Sequence, residues 1–129
     1  MLLNEIAAKR IYLGLSGPTT PKRNDPFVTI DVNGVWDKGA PEEKVYPTLS
    51  MIKVPEAKEG QGLGYKLVKK TLQWMVRNNI KFLVFDNYNK GFWDSIEKKL
   101  PGQLAYRQNK RLGILKATPK TNVTSVFAK

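Results

Sequence analysis

Cysteine and histidine are both absent from this chain of 129 residues. Without cysteine the chain can form no disulfide bond, no thiolate metal site and no cysteine nucleophile. Without histidine it has no imidazole base, no Ser–His–Asp triad and almost no route to a zinc site. We therefore expect no metal, and any catalysis must use carboxylates, hydroxyl groups, lysine, backbone amides or a bound cofactor.

Acidic residues are scarce relative to basic ones: 11 Asp and Glu stand against 22 Lys and Arg, a net charge of +11. From Lys98 to Lys129 there are eight basic residues and no acidic one. Such a field attracts polyanions, which include nucleic acid, a phosphorylated cofactor and an anionic surface. A solvated surface that only keeps the protein soluble explains the charge equally well.

Long apolar runs are also missing, since none approaches the roughly 20 residues that span a bilayer. Glu5, Lys9 and Arg10 interrupt the apolar pattern at the start, so there is no signal-peptide core. We expect a cytoplasmic protein without membrane association. The length fits one domain, residues 1–129, and we expect residues 118–129 to form a loose tail.

The first third of the chain predicts one short helix and one strand. Residues 2–13 are amphipathic and predict a helix that turns extended near Tyr12, while residues 14–26 are rich in Gly and Pro and predict a loop. Phe27–Trp36 alternates apolar and polar side chains, which predicts a strand. Within it, Asn33-Gly34 predicts the two-residue turn of a hairpin.

The middle of the chain predicts a strand–helix–strand unit. Val45–Val54 is typical of a strand, and Gly60, Gly62 and Gly64 then introduce a helix from about Leu63 to Asn78. Its apolar positions follow the spacing of one buried face: Leu63, Leu67, Val68, Leu72, Met75 and Val76. The apolar run Ile80–Phe85 predicts a strand covered on both faces. A crossover of this kind usually joins parallel strands.

The last third predicts a short helix and a hairpin. Phe92–Leu100 indicates a helix stopped by Pro101-Gly102, and residues 104–107 and 111–117 indicate two paired strands. The aromatic residues at helical spacing are interpreted as packing residues rather than as a stacking platform for bases: Trp74, Phe92 and Trp93.

The glycine string does not fit two common phosphate-binding motifs. A Walker P-loop would need Gly where Tyr65 stands, and the dinucleotide fingerprint G-x-G-x-x-G also fails at Tyr65. What remains is a loop of small residues that leads into a helix N-terminus, where free N–H groups and the helix dipole favour a pyrophosphate. The alternative is a tight turn with no ligand.

With this context the chain resembles the GNAT N-acetyltransferases. Their central motif is an apolar strand, a charged turn and a glycine-containing loop that opens a long helix. Ile52-Lys53-Val54, Pro55-Glu56-Ala57-Lys58 and Glu59-Gly60-Gln61-Gly62-Leu63-Gly64 reproduce that order. The helix, the next strand and Asn89 before a further helix also match, so the resemblance covers roughly residues 45–102. It implies an α+β fold in which helices flank a mixed, largely antiparallel sheet with a central β-α-β unit.

The resemblance implies acetyl-CoA as the co-substrate. Amides of Gln61–Gly64 would hold its pyrophosphate, the edge of Ile52–Val54 its pantetheine, and Asn89, with Asn87 as the alternative, a further part of CoA. The expected cofactor-binding residues are Ile52, Lys53, Val54, Glu59, Gly60, Gln61, Gly62, Leu63, Gly64, Tyr65 and Asn89. Lys58, Lys66 and Lys69 are candidates for the CoA phosphates because of their charge.

Two positions depart from the family pattern. Glu59 stands where Arg or Gln is usual, and Ile96 stands where a Tyr often protonates the departing thiolate. Three nearby residues are therefore the candidate catalytic groups: Asp86, as a base or as a loop anchor, and Tyr88 and Ser95, as proton donors.

The resemblance implies transfer of an acetyl group to an amine by direct attack. Two helices that usually wall the acceptor site have no counterpart in residues 14–26, which suggests an open site and a macromolecular acceptor, a protein or a tRNA-linked amine. Chains of this family often form homodimers. The alternatives are a degenerate GNAT fold without turnover, which Glu59 and Ile96 favour, and a basic nucleic-acid-binding module.

Overall fold

The computed structural model describes residues 10–36, 44–106 and 112–123. Within these ranges the chain forms seven strands and two α-helices. In chain order they are β1 (Arg10–Gly14), β2 (Gly17–Pro18), β3 (Phe27–Trp36), β4 (Lys44–Lys53), α1 (Leu63–Arg77), β5 (Phe82–Asp86), α2 (Lys90–Lys99), β6 (Leu104–Tyr106) and β7 (Leu112–Lys116). A 3₁₀ turn, Glu56–Lys58, precedes α1.

The strands form one mixed sheet in the order β2-β1-β3-β4-β5-β7-β6. Every neighbouring pair is antiparallel except β4 and β5, which are parallel and are joined by α1 as the crossover. The predicted fold class is therefore confirmed: an α+β arrangement with a largely antiparallel sheet and a central β-α-β unit. The terminal hairpin is confirmed as β6 and β7.

Both helices pack on one face of the sheet, which we call the helix face. The core there joins sheet residues such as Ile30, Leu49 and Phe85 to Met75 of α1 and Trp93 of α2. Burying these side chains stabilises the fold by about 1.5–3 kcal/mol each before entropy is counted. We call the other side of the sheet the opposite face. Among the described residues no helix covers it.

The helix α1 begins and ends close to where the sequence predicts. Four of its six predicted apolar positions lie in the core, but Leu63 lines a cavity instead and Val76 is 61% exposed. Val76 lies directly after Met75, which is fully buried, and the 100° step per residue turns it away from the sheet. The packing role of the aromatics is confirmed, because Trp74 and Trp93 are buried and Phe92 packs against the core.

Phe85 anchors the part of the core beneath α2. Its ring stacks on Trp93 with centroids 3.9 Å apart and meets Tyr106 edge-on at 6.4 Å. It also covers Gly113, where an added Cβ would lie 2.4 Å from the ring. Only glycine therefore fits beneath Phe85 at that position of β7.

The predicted helix over residues 2–13 is wrong at Arg10 and Ile11, whereas the extended chain expected near Tyr12 is confirmed. Residues 10–14 form β1, which pairs with β3 in antiparallel register from Arg10–Asp31 to Leu13–Val28. Alternation places Leu13 in the core and Arg10 on the opposite face. The backbone pairing with β3 explains the strand, and residues 1–9 lie outside the described ranges.

The predicted hairpin turn at Asn33-Gly34 is also wrong. Both residues lie inside β3, and the register with β4 shifts between Asp31 and Gly34. Three steps along β3 match two along β4, from Thr48 to Tyr46, which is the pattern of a β-bulge. The extra residue is therefore absorbed within the strand instead of forming a turn. The connection to β4 falls in residues 37–43, outside the described ranges.

The predicted loop over residues 14–26 contains the two-residue strand β2 and no helix. At the other end, Val123 is buried beside Val84 and Ile114 on the opposite face. In the segment expected to be loose, Val123 therefore packs against the sheet while Thr118, Pro119 and Lys120 are exposed. Residues 124–129 are outside the description. No helix of the described chain has the length and apolarity needed to cross a membrane.

Candidate functional site

The parallel strands β4 and β5 stay in register at a single pair, Thr48–Val84, and separate beyond it. A cavity of about 740 Å³ lies where they part, bounded by β4, the glycine loop, both helices and the end of β5. Cavities of 300–1,000 Å³ are typical of small-molecule and cofactor sites. Residues 48–52 of β4 line one wall of the cavity, and beyond Thr48 no register pair joins them to β5.

The cavity collects most of the predicted cofactor-binding residues. Those that line it are Ile52, Val54, Glu59, Gly60, Gly62, Leu63, Gly64, Tyr65 and Asn89. Lys53 and Gln61 do not line it. Lys53 instead lies on the opposite face, with its ammonium 5.9 Å from the centre of the Phe27 ring.

The glycine loop delivers the N-terminus of α1 to the cavity. Gly60 and Gly62 have φ of 82° and 71°, a left-handed conformation that glycine adopts without strain. Gly62 is the N-cap residue, no side chain caps the helix, and no acidic residue stands in its first turn. The first N–H groups of the helix have no intrahelical acceptors, so this end offers donors and a positive dipole to an anion.

Gly64 is required for a different reason, the close approach of the two helices. A Cβ at this position would lie 2.6 Å from Cε1 of Phe92 in α2. The third glycine of the string therefore lets α1 and α2 meet at the cavity wall. The sequence places all three glycines in one motif. In the structure Gly60 and Gly62 provide the left-handed backbone of the loop, whereas Gly64 lets the two helices pack closely.

Lys99 is the basic side chain that lines the cavity, and the sequence analysis missed it. Its ammonium lies 4.8 Å from the centre of the Tyr65 ring, and that of Lys69 lies 5.5 Å from the same ring. The three predicted phosphate ligands, Lys58, Lys66 and Lys69, are not lining residues. The helical spacing from Phe92 and Ile96 to Lys99 marks one face of α2, and that spacing could have found it.

The three candidate catalytic residues, Asp86, Tyr88 and Ser95, all line the cavity. The Tyr88 hydroxyl donates a hydrogen bond of 3.3 Å to the Asp86 carboxylate. Tyr88 is 84% exposed. Ile96 is buried and also lines the cavity, so it contributes an apolar wall where a proton donor is usual.

Asn89 caps a helix at the cavity, and Glu59 lies at the cavity rim. Asn89 is the N-cap of α2, because its Oδ1 accepts a hydrogen bond of 3.0 Å from the N–H of Phe92. Its side-chain amide group is left for any ligand contact. Glu59 is exposed at the cavity rim, so a carboxylate stands near the positive end of α1. Asn87, the alternative to Asn89, is buried and does not line the cavity.

A charged network on the opposite face reaches the cavity through Ser50. Arg10 donates to Asp31 from Nε at 2.7 Å and from a second nitrogen at 3.3 Å, and the Ser50 hydroxyl donates to the same carboxylate. Partial burial alone would raise the pKa of Asp31, but the hydrogen bonds from Arg10 and Ser50 outweigh it and hold that pKa below its ordinary value. Asp31 is thus a carboxylate at neutral pH.

Ser50 owes its position to a second bulge. Thr29 pairs with Met51 and Ile30 pairs with Leu49, so Ser50 is the extra residue of β4. Strand alternation alone cannot reveal such an insertion, which explains why the sequence analysis passed over it. Within the described ranges, no three His, Cys, Asp or Glu side chains come together as a group that could hold a metal ion.

No protein-family model and no curated protein sequence matches the chain. Among solved structures, a mutant AtaT toxin bound to the C-terminus of the antitoxin AtaR and acetyl-CoA is 17% identical, with a TM-score of 0.46 over 76% of this chain and 62% of that one. AtaTR bound with acetyl-CoA gives 16% identity and a TM-score of 0.47 over 78% and 63%.

The KacTA–DNA complex gives 15% identity and a TM-score of 0.49 over 78% of this chain and 65% of that one. The chain therefore spans less than two thirds of the length of each of these proteins. With TM-scores below 0.5 the likeness is a distant one.

Proposed function

We propose that this chain is an acetyl-CoA-dependent N-acetyltransferase of the GNAT type, with the residues of the sheet and both helices forming one catalytic domain. The observation that carries the proposal is the cavity between β4 and β5, which combines an open strand edge with the uncapped N-terminus of α1. The strand edge suits an amide-containing chain and the helix end suits a phosphate, and CoA joins both groups in one molecule.

The donor would lie along the cavity with its pyrophosphate at the glycine loop. The N–H groups at the start of α1 would bind the phosphate oxygens, as the resemblance implies for Gln61–Gly64. Lys99 would add a cation on the same wall. The pantetheine amides would hydrogen-bond to the backbone of Ile52–Val54, which continues β4 beyond its last register pair with β5. The Asn89 amide group would contact CoA near the start of α2.

The chemistry would be direct attack of an amine on the thioester carbonyl. The main contribution of the site is proximity, because holding both reactants converts a bimolecular step into a unimolecular one. Tyr88 would protonate the departing thiolate, with Ser95 as the second candidate donor among the lining residues. Asp86, which accepts a hydrogen bond from Tyr88, would act as a base through water.

The acceptor would be an amine on a macromolecule, either a protein or a tRNA-linked amine. This follows from the connection between β1 and β3, where residues 15–26 form a short strand and loops but no helix that could wall the site. The excess of basic residues favours an acidic or nucleic-acid-linked acceptor.

The first experiment is a thermal shift assay with acetyl-CoA, CoA and desulfo-CoA over a series of salt concentrations. A ligand that binds only the folded state stabilises it by about 2.7 kcal/mol at a hundredfold excess over Kd. We expect stabilisation that survives moderate salt. A shift that any polyanion reproduces would favour the nucleic-acid-binding alternative instead.

A matched pair of variants, Gly62→Asp and Gly62→Asn, tests the phosphate position. Asp and Asn are nearly the same size and both tolerate a left-handed conformation, so the pair differs mainly by one negative charge. We expect Gly62→Asp to bind acetyl-CoA at least tenfold more weakly than Gly62→Asn, because its carboxylate would lie beside the pyrophosphate. Equal affinities would show that the pyrophosphate of acetyl-CoA does not bind at the N-terminus of α1.

A further inference from the structure

The cavity is lined by residues from both faces of the sheet. Leu49 and Phe85 belong to the core of the helix face, whereas Ser50 bonds to Asp31 on the opposite face. The bulge at Ser50 and the separation of β4 from β5 together make this possible. A molecule that fills the cavity from the helix side can therefore be reached from the other side of the sheet.

The hydrogen bond to Asp31 fixes the orientation of the Ser50 hydroxyl. A serine hydroxyl has one proton and two acceptor lone pairs. The proton of Ser50 is committed to Asp31, which stays ionised because Arg10 also donates to it at 2.7 Å and 3.3 Å. The oxygen of Ser50 can therefore act toward the cavity only as a hydrogen-bond acceptor, which suits an N–H group.

We propose that Ser50 binds the acceptor amine of the acetyl transfer by accepting a hydrogen bond from its N–H, and that Asp31 is the residue that positions Ser50. This inference rests on the proposed acetyltransferase function. An amine that points one N–H at Ser50 keeps its lone pair free for the thioester. Attack forms the C–N bond and breaks the C–S bond. The C–S electron pair leaves on the CoA sulfur, which takes up a proton from Tyr88, and the nitrogen loses its proton through water to Asp86.

The replacement Asp31→Asn tests the direction of the hydrogen bond. Arg10 needs an oxygen at position 31, so the new amide group would face Ser50 and donate to it. The Ser50 hydroxyl would then accept a hydrogen bond from the amide and point its own proton toward the cavity. There it would donate to the amine nitrogen instead of accepting from its N–H. Asp31→Asn should therefore impair amine binding, although the side chain keeps its size and its 2.7 Å bond from Arg10 Nε and loses only the longer bond of 3.3 Å.

The experiment measures CoA release from acetyl-CoA with glycinamide, a small primary amine, as the probe. For Ser50→Ala and Asp31→Asn we expect kcat/KM for glycinamide to fall at least tenfold, mainly through a higher KM. The Kd for acetyl-CoA and the melting temperature should stay close to those of the wild type. Ser50→Thr, which keeps the hydroxyl, should restore much of the loss. Ser16→Ala and Asp25→Asn change the same residue types outside the cavity and should behave like the wild type.

The outcomes separate this proposal from the one on which it rests. If the wild type transfers acetyl groups and both variants match the two controls, the amine site is wrong and the acetyltransferase function stands. If the wild type binds acetyl-CoA but transfers nothing to concentrated glycinamide, an amine site open to small primary amines is refuted while the donor site stands. A wild type that does not bind acetyl-CoA would overturn both proposals.

Discussion

Gly64 lies against Phe92, and this contact should decide how Gly64→Ala affects the free energy of unfolding. We expect the change to destabilise the protein while Phe92 is present and to stabilise it when Phe92 is replaced by alanine. A Cβ at Gly64 would lie 2.6 Å from Cε1 and 3.2 Å from Cζ of Phe92, whereas carbon atoms prefer about 3.5–4.0 Å. Phe92 must therefore shift by roughly 1 Å, and overpacking of this kind costs about 1–3 kcal/mol. Against this, alanine gains up to about 1 kcal/mol over glycine in a helix.

In the wild-type background we therefore expect Gly64→Ala to lower the free energy of unfolding by up to about 2 kcal/mol. In a Phe92→Ala background the overlap is gone and only the helix propensity remains, so the same change should stabilise by up to about 1 kcal/mol. The coupling energy of the double-mutant cycle should be about 1–3 kcal/mol. Gly91→Ala is the matched control, because its Cβ would meet only Asn89 Oδ1, at 3.9 Å.

The assay is urea denaturation of the four proteins of the cycle, followed by tryptophan fluorescence. Trp93 is buried and stacked on Phe85, so its emission reports loss of the core beneath α2. A coupling energy below about 0.5 kcal/mol, the level of independent sites, would refute the close helix contact. The same result for Gly64→Ala and Gly91→Ala would refute it as well.

Two further predictions concern charge and titration. Lys99→Gln should weaken acetyl-CoA binding severalfold at low salt and less at high salt, because exposed charges are screened. Its neighbour Lys98, which does not line the cavity, is the control, and isothermal titration that finds Lys98→Gln equally weakened would contradict a specific contact. Burial, with smaller contributions from Glu97 and Asp94, raises the pKa of Tyr106 to about 12. Since an unfolded tyrosine ionises near pH 10, the free energy of unfolding should fall between about pH 10 and pH 12 as the unfolded state loses its proton first. Urea midpoints across that range should show the slope, Tyr106→Phe should remove it, and a slope retained in that variant would assign it elsewhere.

The sequence predicts the central β-α-β unit well because its signals are local. Helix periodicity, glycine before the helix and an apolar run after it each indicate one element without reference to distant residues. The predicted helix ends within one residue of the observed end at Arg77. The glycine loop is predicted for the same reason, since a strand, a glycine turn and a helix follow one another along the chain.

The errors fall where a partner strand decides the conformation. Residues 10–14 are a strand because β3 supplies their hydrogen-bond partners, and Asn33-Gly34 is a bulge because β4 continues beside it. Neither partner is visible in a local window. The amphipathic pattern of the first residues and the turn preference of Asn-Gly are both real, but tertiary pairing overrides them.

The two site residues that the sequence analysis passed over illustrate the same limit. Ser50 reaches the cavity because a bulge and a strand separation coincide. Lys99 reaches it because α2 lies against α1 at Tyr65. Both depend on how elements far apart in sequence meet, whereas the charged residues Lys58, Lys66 and Lys69 lie near the glycines along the chain but do not line the cavity.

The single register pair between β4 and β5 also bears on how the protein avoids self-association. Unpaired strand edges are templates for other chains, and proteins protect themselves by keeping outer edges short. The outermost strands of the described sheet have only two residues in β2 and three in β6. The longer unpaired edges, those of β4 and β5 beyond Thr48–Val84, border the cavity inside the sheet. The strand edges most able to pair with another chain therefore border a cavity that admits a small ligand but not a second sheet.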